Sequence, residues 1–153
     1  MYVGQVCSAA RALEIVGERW SLLIVRDAMF VGVSRFMDFQ RGLGVASNVL
    51  TKRLADLVAA GVFEVRPGEG GGYSEYVLTS MGWDLLPVVV ALTEWGDRWV
   101  AEDGGPVVYE HDSCGGRVGL RLECASCGES PPVRGVRARL RHRFAKSRTA
   151  RAT

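Results

Sequence analysis

The chain has 153 residues, 48% of them apolar and 24% charged, enough to bury one full core with a small appendage and unlike a fibrous or low-complexity chain. Its longest apolar run, around residues 85–92, contains Pro87 and is followed by Glu94, which excludes a bilayer-spanning helix. The formal charge of +2 hides two unlike parts: eight Arg or Lys and no acid from Arg134 onward, against 11 basic and 17 acidic side chains, a net of −6, over residues 1–133. Any basic surface on the main domain must therefore be local, and the tail is a separate electrostatic object. With no cationic leader before Cys7, the expected location is the cytoplasm, where four cysteines read as metal ligands or redox thiols rather than as a disulfide framework.

In chain order, Ser8 can cap a first helix with Ala9, Ala12, Leu13 and Val16 inward, stopped at Gly17. A second helix from Arg19 or Trp20 to about Phe30 is apolar on most sides and suits the centre of the core. SRFMDFQRGLGV makes a short third helix with Phe36, Phe39 and Leu43 inward, broken by Gly42 and Gly44. SNVLTKRL then opens a fourth, capped by Ser47 or reached from Ala46 and running through ADLVAA to Gly61. Its leucines, Leu50, Leu54 and Leu57, share one face, while Asn48, Thr51 and Lys52 share the opposite one. VFEVRP and YSEYVLT alternate as strands on either side of the loose turn PGEGGG, so residues 62–79 form a β-hairpin. Thr79 or Ser80 can cap a long helix from about Met81 to Glu102, bent at Pro87, on which Leu85, Val88, Leu92, Trp95 and Trp99 form a heptad-like seam. Gly104, Gly105 and Pro106 mark a boundary.

Two short helices joined by a glycine-containing turn, the second polar in front, and a hairpin behind them have the outline of a winged helix-turn-helix, an α+β fold. Cys7 at the first helix, Gly17-x-Arg19-Trp20, Arg35-Phe36, Leu50-Thr51-x-Arg53-Leu54, Tyr76-x-Leu78-Thr79 and Trp95-Gly96 stand in this order between Cys7 and Trp99. In these features the chain resembles the HxlR-type (MarR-like) winged helix-turn-helix transcriptional regulators. The resemblance implies a DNA-binding homodimer that controls genes in response to electrophiles, oxidants or small molecules.

The side chains suit that role on physical grounds. Asn48 can pair with adenine, Lys52 with guanine, and Ser47 or Thr51 with bases or phosphates. Arg35 and Arg41 bracket the preceding helix as backbone clamps, and Arg53 lies to one flank, where a phosphate or an acid such as Asp56 could hold it. The bland alternative is a merely solvated helix face. The wing turn supplies an acid and four glycines, with only Arg66 at its base, so a mobile wing of little affinity is expected. The seam of Leu85, Val88, Leu92, Trp95 and Trp99 suits a dimer interface. Alternatively its tryptophans fold back on the chain's own first helix.

Cys7 stands where unpaired helix N–H groups favour a thiolate; the resemblance marks this place as the sensor in redox-sensing members, and a small core residue is the alternative. HDSCGGRVGLRLECASCG pairs His111 with Cys114 and Cys124 with Cys127, each two residues apart and each closed by a glycine. Four such N and S donors suit a structural, tetrahedral zinc, with GRVGLRLE as a short hairpin between the pairs. A disulfide, a labile thiol pair or a metal-free segment are the other options.

The expected organisation is a winged helix-turn-helix with a long dimerisation helix (1–103), a small zinc-ribbon-like appendage (107–133) and a basic, disordered tail (134–153) that attracts DNA or is inert. The expected function is a homodimeric repressor of a roughly palindromic double-stranded operator, released by a small molecule, an electrophile or another thiol modification. A metal-responsive regulator and a protein-interaction scaffold are the rivals. An enzyme is not expected: the two histidines lie in the ribbon segment and the tail, and GEGGG lacks the Lys-Ser/Thr ending of a phosphate loop.

Overall fold

The computed structural model describes residues 7–68 and 71–139. Within it the chain forms two compact units, the first ending at Gly119 and the second beginning at Leu120.

The first unit contains helices α1 (Ser8–Val16), α2 (Ser21–Phe30), α3 (Phe36–Leu43) and α4 (Ser47–Ala59), strands β1 (Phe63–Arg66) and β2 (Glu75–Leu78), the single-turn α5 (Ser80–Trp83) and α6 (Leu86–Trp99). Its centre is built by α2 and α4. Ile24 and Val25 of α2 meet Phe39 of α3, Leu50, Leu54 and Leu57 of α4, and Val62 and Phe63 at the start of the hairpin, all essentially without solvent exposure. Phe39 and Phe63 meet edge to face at 6.4 Å. Each fully buried leucine contributes roughly 1.5–3 kcal/mol over an exposed one, so the recognition-helix candidate is fixed from behind by three such side chains.

The turn into α4 depends on one backbone conformation. Gly44 sits at φ 62°, a left-handed geometry that costs a Cβ-bearing residue about 1–2 kcal/mol, and its N–H donates to the Gln40 carbonyl at 3.0 Å. Gly42, expected to break the helix, lies inside α3; a helix interior tolerates glycine at about 1 kcal/mol, and only Gly44 turns the chain. Ala46 occupies the cap position of α4, with no side-chain cap bond.

The hairpin pairs Phe63 with Leu78 and Arg66 with Glu75 in antiparallel register. Two contacts fix the wing to the helices: Tyr76 N–H donates to the Ser34 carbonyl at 2.7 Å, and Arg35 pairs with Glu75 at 3.1 Å. Thr79 closes it, its hydroxyl donating to the Gly61 carbonyl at 2.6 Å and accepting from Gly82 N–H at 3.2 Å. Residues 69–70 at the wing tip, where a mobile turn was expected, lie outside the described residues.

Three expectations need correction. Cys7, not Ser8, is the cap of α1, and of the four positions expected inward only Val16 is buried while Leu13 is half exposed; Ile15 supplies the second core contact. The long helix from Met81 to Glu102 is two helices. After α5 the chain breaks at Asp84 and Leu85, and Pro87 falls in the first turn of α6, where its missing N–H costs nothing, instead of bending a continuous helix. The C-terminal end comes at Trp99. Finally, the hairpin expected over GRVGLRLE is not formed: pairing there is the single antiparallel bridge Glu110↔Arg117, which closes the first Cys/His turn rather than linking the two.

From Leu120 onward, the second unit has a turn at Cys124–Gly128 and a 3₁₀ turn at Val133–Gly135. The greater part of the basic tail, residues 140–153, lies outside the described residues. Among those described, no helix is long and apolar enough to cross a membrane.

Candidate nucleic-acid interface

The two faces of α4 separate cleanly. Leu50, Leu54 and Leu57 are sealed in the core, while Ser47, Asn48, Thr51 and Lys52 are exposed. At 100° per residue, positions 48, 51 and 52 fall within an arc of roughly 100°, so the three side chains form one front. Among the described residues Asn48 has no side-chain hydrogen-bond partner, which leaves both its donor and its acceptor for an outside group. The Thr51 hydroxyl donates to the Ser47 carbonyl at 2.9 Å. It therefore offers outward an acceptor oxygen and a methyl group, a pairing suited to a base amino group or a thymine methyl rather than to a phosphate.

Every cation expected to meet DNA already has a carboxylate partner. Lys52 pairs with Asp56 at 3.0 Å, Arg41 with Asp38 at 3.5 Å and Arg35 with Glu75 at 3.1 Å, and Arg66 pairs with Glu64. These pairs are exposed, and each is worth at most about 1 kcal/mol, so a phosphate can displace the carboxylate at little cost. The front is thus locally neutral. Arg53 differs. It is only 14% exposed and lies between Asp56 at 3.3 Å and Glu18 at 3.6 Å; of the two partners open in the sequence, phosphate or acid, the structure shows the acid. Arg53 ties α4 to the loop before α2.

A groove of about 580 Å³ runs beside this front, lined by Arg35, Phe36, Thr51, Tyr73, Ser74 and Tyr76 among others. It joins the start of α3, the recognition-helix candidate and the wing. Tyr73, 87% exposed, was not singled out from the sequence. An aromatic residue directly after a glycine-rich turn, with no core partner to claim it, was the available signal.

In α6, Val89 and Val90 are buried while Val88, Leu92, Trp95 and Trp99 are exposed, Trp99 at 69%. Trp95 is 59% exposed. Leu85, at the head of the expected seam, packs against the chain's own core. Cys7 is exposed, and the N–H groups of Ala10 and Ala9 hold its thiol below the ordinary cysteine range, as the open end of a helix does.

The Cys/His pairs fall in two separate turns. His111 Nδ1 lies 3.3 Å from Cys114 Sγ, and all four cysteines are free thiols. Among the described residues no three His, Cys, Asp or Glu side chains converge as a ready-made metal cluster.

Residues 15–104 match the model of the HxlR-like helix-turn-helix family. An HTH-type transcriptional regulator of Mycobacterium tuberculosis is 43% identical over 131 residues, covering 84% of this chain and 82% of its own. The crystal structure of PA1607, a candidate transcription factor, superposes with a TM-score of 0.80 at 38% identity, over 89% of this chain and 96% of that one. Coverage of that extent reaches some thirty residues past Gly104, into the cysteine-bearing extension. The redox regulator HypR in its reduced form is 28% identical with a TM-score of 0.54, over 60% of this chain and 92% of that one. A helix held by three buried leucines with a polar front, a paired wing and these matches lead to one conclusion: the chain belongs to the HxlR-like family of helix-turn-helix, DNA-binding transcriptional regulators.

Proposed function

We propose that the protein is a cytoplasmic homodimer that represses transcription from a roughly palindromic operator, each α4 entering a major groove with Asn48, Thr51 and Lys52 toward the bases and Ser47, Arg35, Arg41 and Arg66 toward the backbone. The observation that carries this reading is the exposed, mutually adjacent placement of Asn48, Thr51 and Lys52 on a helix whose other face is wholly buried. Such rigidity lowers the ordering cost of reading base edges.

Dimerisation is supported by the row of exposed apolar side chains Val88, Leu92, Trp95 and Trp99, a kind of surface that marks an interaction face. A second copy covers it, and two copies set the half-sites about one helical turn of DNA apart. Cys7 supplies the release signal in this reading. Its thiol is exposed, activated by two helix N–H groups and placed at the head of α1, and the likeness to a regulator named for redox control supports the assignment. Modification there would favour one arrangement of the two protomers over another. The Cys/His segment serves as a zinc-holding appendage, which also keeps a metal-responsive variant of the same regulator in play.

Selecting bound sequences from random duplexes, with and without reductant, tests the proposal. Enrichment of an inverted repeat with half-sites roughly 10 base pairs apart, lost on thiol oxidation, is expected. Retention of duplexes without any common sequence would refute specific recognition.

A further inference from the structure

The hairpin lacks the cations with which a wing ordinarily holds DNA. Between Pro67 and Ser74 the chain carries one acid, four glycines and no Lys or Arg, and Arg66 at the base pairs with Glu64. What the turn does present is Tyr73, almost fully exposed, whose hydroxyl has no hydrogen-bond partner among the described residues.

The ring is free, but the backbone beneath it is fixed. Tyr73 stands two residues before Glu75, which pairs in register with Arg66, and the next two positions are tied to the helices, Glu75 by Arg35 and Tyr76 by the Ser34 carbonyl. On the other arm of the hairpin Gly68 is buried. A Cβ on Gly68 would collide with the Tyr73 carbonyl oxygen and come within 3.0 Å of the Gly72 carbonyl carbon, so the close approach that seats Tyr73 requires glycine there.

A single exposed tyrosine is ordinary; the place of this one is not. It lines the groove of about 580 Å³ whose other walls include Phe36 and Tyr76, packed against the core, and Arg35 and Thr51 of the front proposed to meet DNA. The groove is therefore continuous with that front. Small-molecule sites enclose most of their ligand, whereas exposed Met37 and Tyr73 leave this one open, a shape that suits an extended strand.

We propose that the groove seats the sugar–phosphate strand flanking the major groove that α4 enters, with Tyr73 as its uncharged contact. The ring lies on a deoxyribose and the hydroxyl donates to a phosphate oxygen, where a basic wing would place Arg or Lys. Tyrosine is among the side chains that position a protein on the DNA backbone, and with two side-chain torsions it orders at low entropic cost. Being neutral, it adds affinity without releasing a counterion of its own. This rests on the proposed entry of α4 into DNA and replaces the expectation of a wing with little affinity.

The test measures binding of the full chain to the selected operator and to random duplexes by fluorescence anisotropy across a salt series. Tyr73→Phe should weaken both by about 5-fold or more over two half-sites and leave the slope of log K against log salt unchanged. Tyr73→Ala should weaken them further, and Tyr73→Arg should raise the slope by about 0.9 per protomer. A second readout does not depend on affinity: in chain labelled with 3-fluorotyrosine, the fluorine line missing from Tyr73→Phe is the Tyr73 line, and it should shift when operator is added. A line that stays still, or Phe and Ala variants within twofold of the parent, would overturn the inference and leave the groove to another occupant. Weakening confined to the selected operator would overturn the backbone role. A parent chain that binds no duplex counts against this inference and the proposed function together, whereas Tyr73 variants that match a parent that does bind count against this inference alone.

Discussion

Replacing Lys52 by glutamine distinguishes a base-reading helix face from a solvated one by energy. Lys52 is two-thirds exposed and meets Asp56 at 3.0 Å across one helical turn. An exposed i,i+4 pair of this kind is worth about 0.3–0.5 kcal/mol, so the fold should lose no more than about 2 °C of Tm. On DNA the loss is larger. A side chain bonded to a base edge contributes about 1–3 kcal/mol per half-site, hence roughly 2–6 kcal/mol for two half-sites and a Kd weaker by about 30-fold to 20,000-fold. A phosphate contact would instead lower the slope of log K against log salt by about 0.9 per protomer, on operator and random duplexes alike. Fluorescence anisotropy on a selected operator across a salt series, beside a thermal melt, reads all three quantities. An affinity within twofold of the parent with an unchanged salt slope would refute a DNA-contacting role for Lys52. A Tm drop beyond about 5 °C would show that the residue supports the fold instead.

Gly82→Ala should lower the urea midpoint, because its new Cβ would meet the Val62 carbonyl and lie 2.7 Å from Leu78 Cδ2; overpacking of this kind costs about 1–3 kcal/mol, and an unchanged midpoint would contradict the tight seating of α5. Trp95→Glu should convert the proposed dimer to monomer in sedimentation equilibrium while leaving the far-ultraviolet spectrum intact, since Trp95 is exposed within the protomer; a persistent dimer would place the interface elsewhere. Alkylation of Cys7 should accelerate as pH rises and level off at a midpoint below that of an unperturbed cysteine, because the Ala10 and Ala9 N–H groups stabilise the thiolate; a midpoint in the ordinary range would remove the case for an activated thiol.

Features set by near neighbours were legible in the sequence. The four-then-three spacing of Leu50, Leu54 and Leu57 located both the buried and the exposed face of α4, Thr79 was readable as a cap, and the alternation of FEVR and EYVL placed the wing. Features set by tertiary partners were not. The Arg35–Glu75 pair spans 40 residues, and while Asp56 was readable as a partner of Arg53, nothing local in the sequence indicates that Glu18 joins it. Pro87 was misjudged because one proline fits two geometries, a kink within a helix or the first turn of a new one, and Asp84 and Leu85 leaving the helix decides between them. In α1 the small apolar residues gave a plausible inward stripe, yet α2 and α4 cover only the Ile15 and Val16 side. Tyr109 could not be singled out at all, since its burial depends on Phe30 and Thr93, which lie far from it in the chain.

The most direct measurement is a titration of the isotopically labelled chain with its selected duplex, followed through backbone and side-chain amide resonances. If the outward face of α4 reads DNA, the largest changes will fall on residues 47–52 and the Asn48 side-chain amide, with smaller ones at Arg35, Arg41 and Arg66, while buried positions such as Leu57 stay still. Changes centred on α6 or on the cysteine turns, with residues 47–52 unmoved, would contradict it.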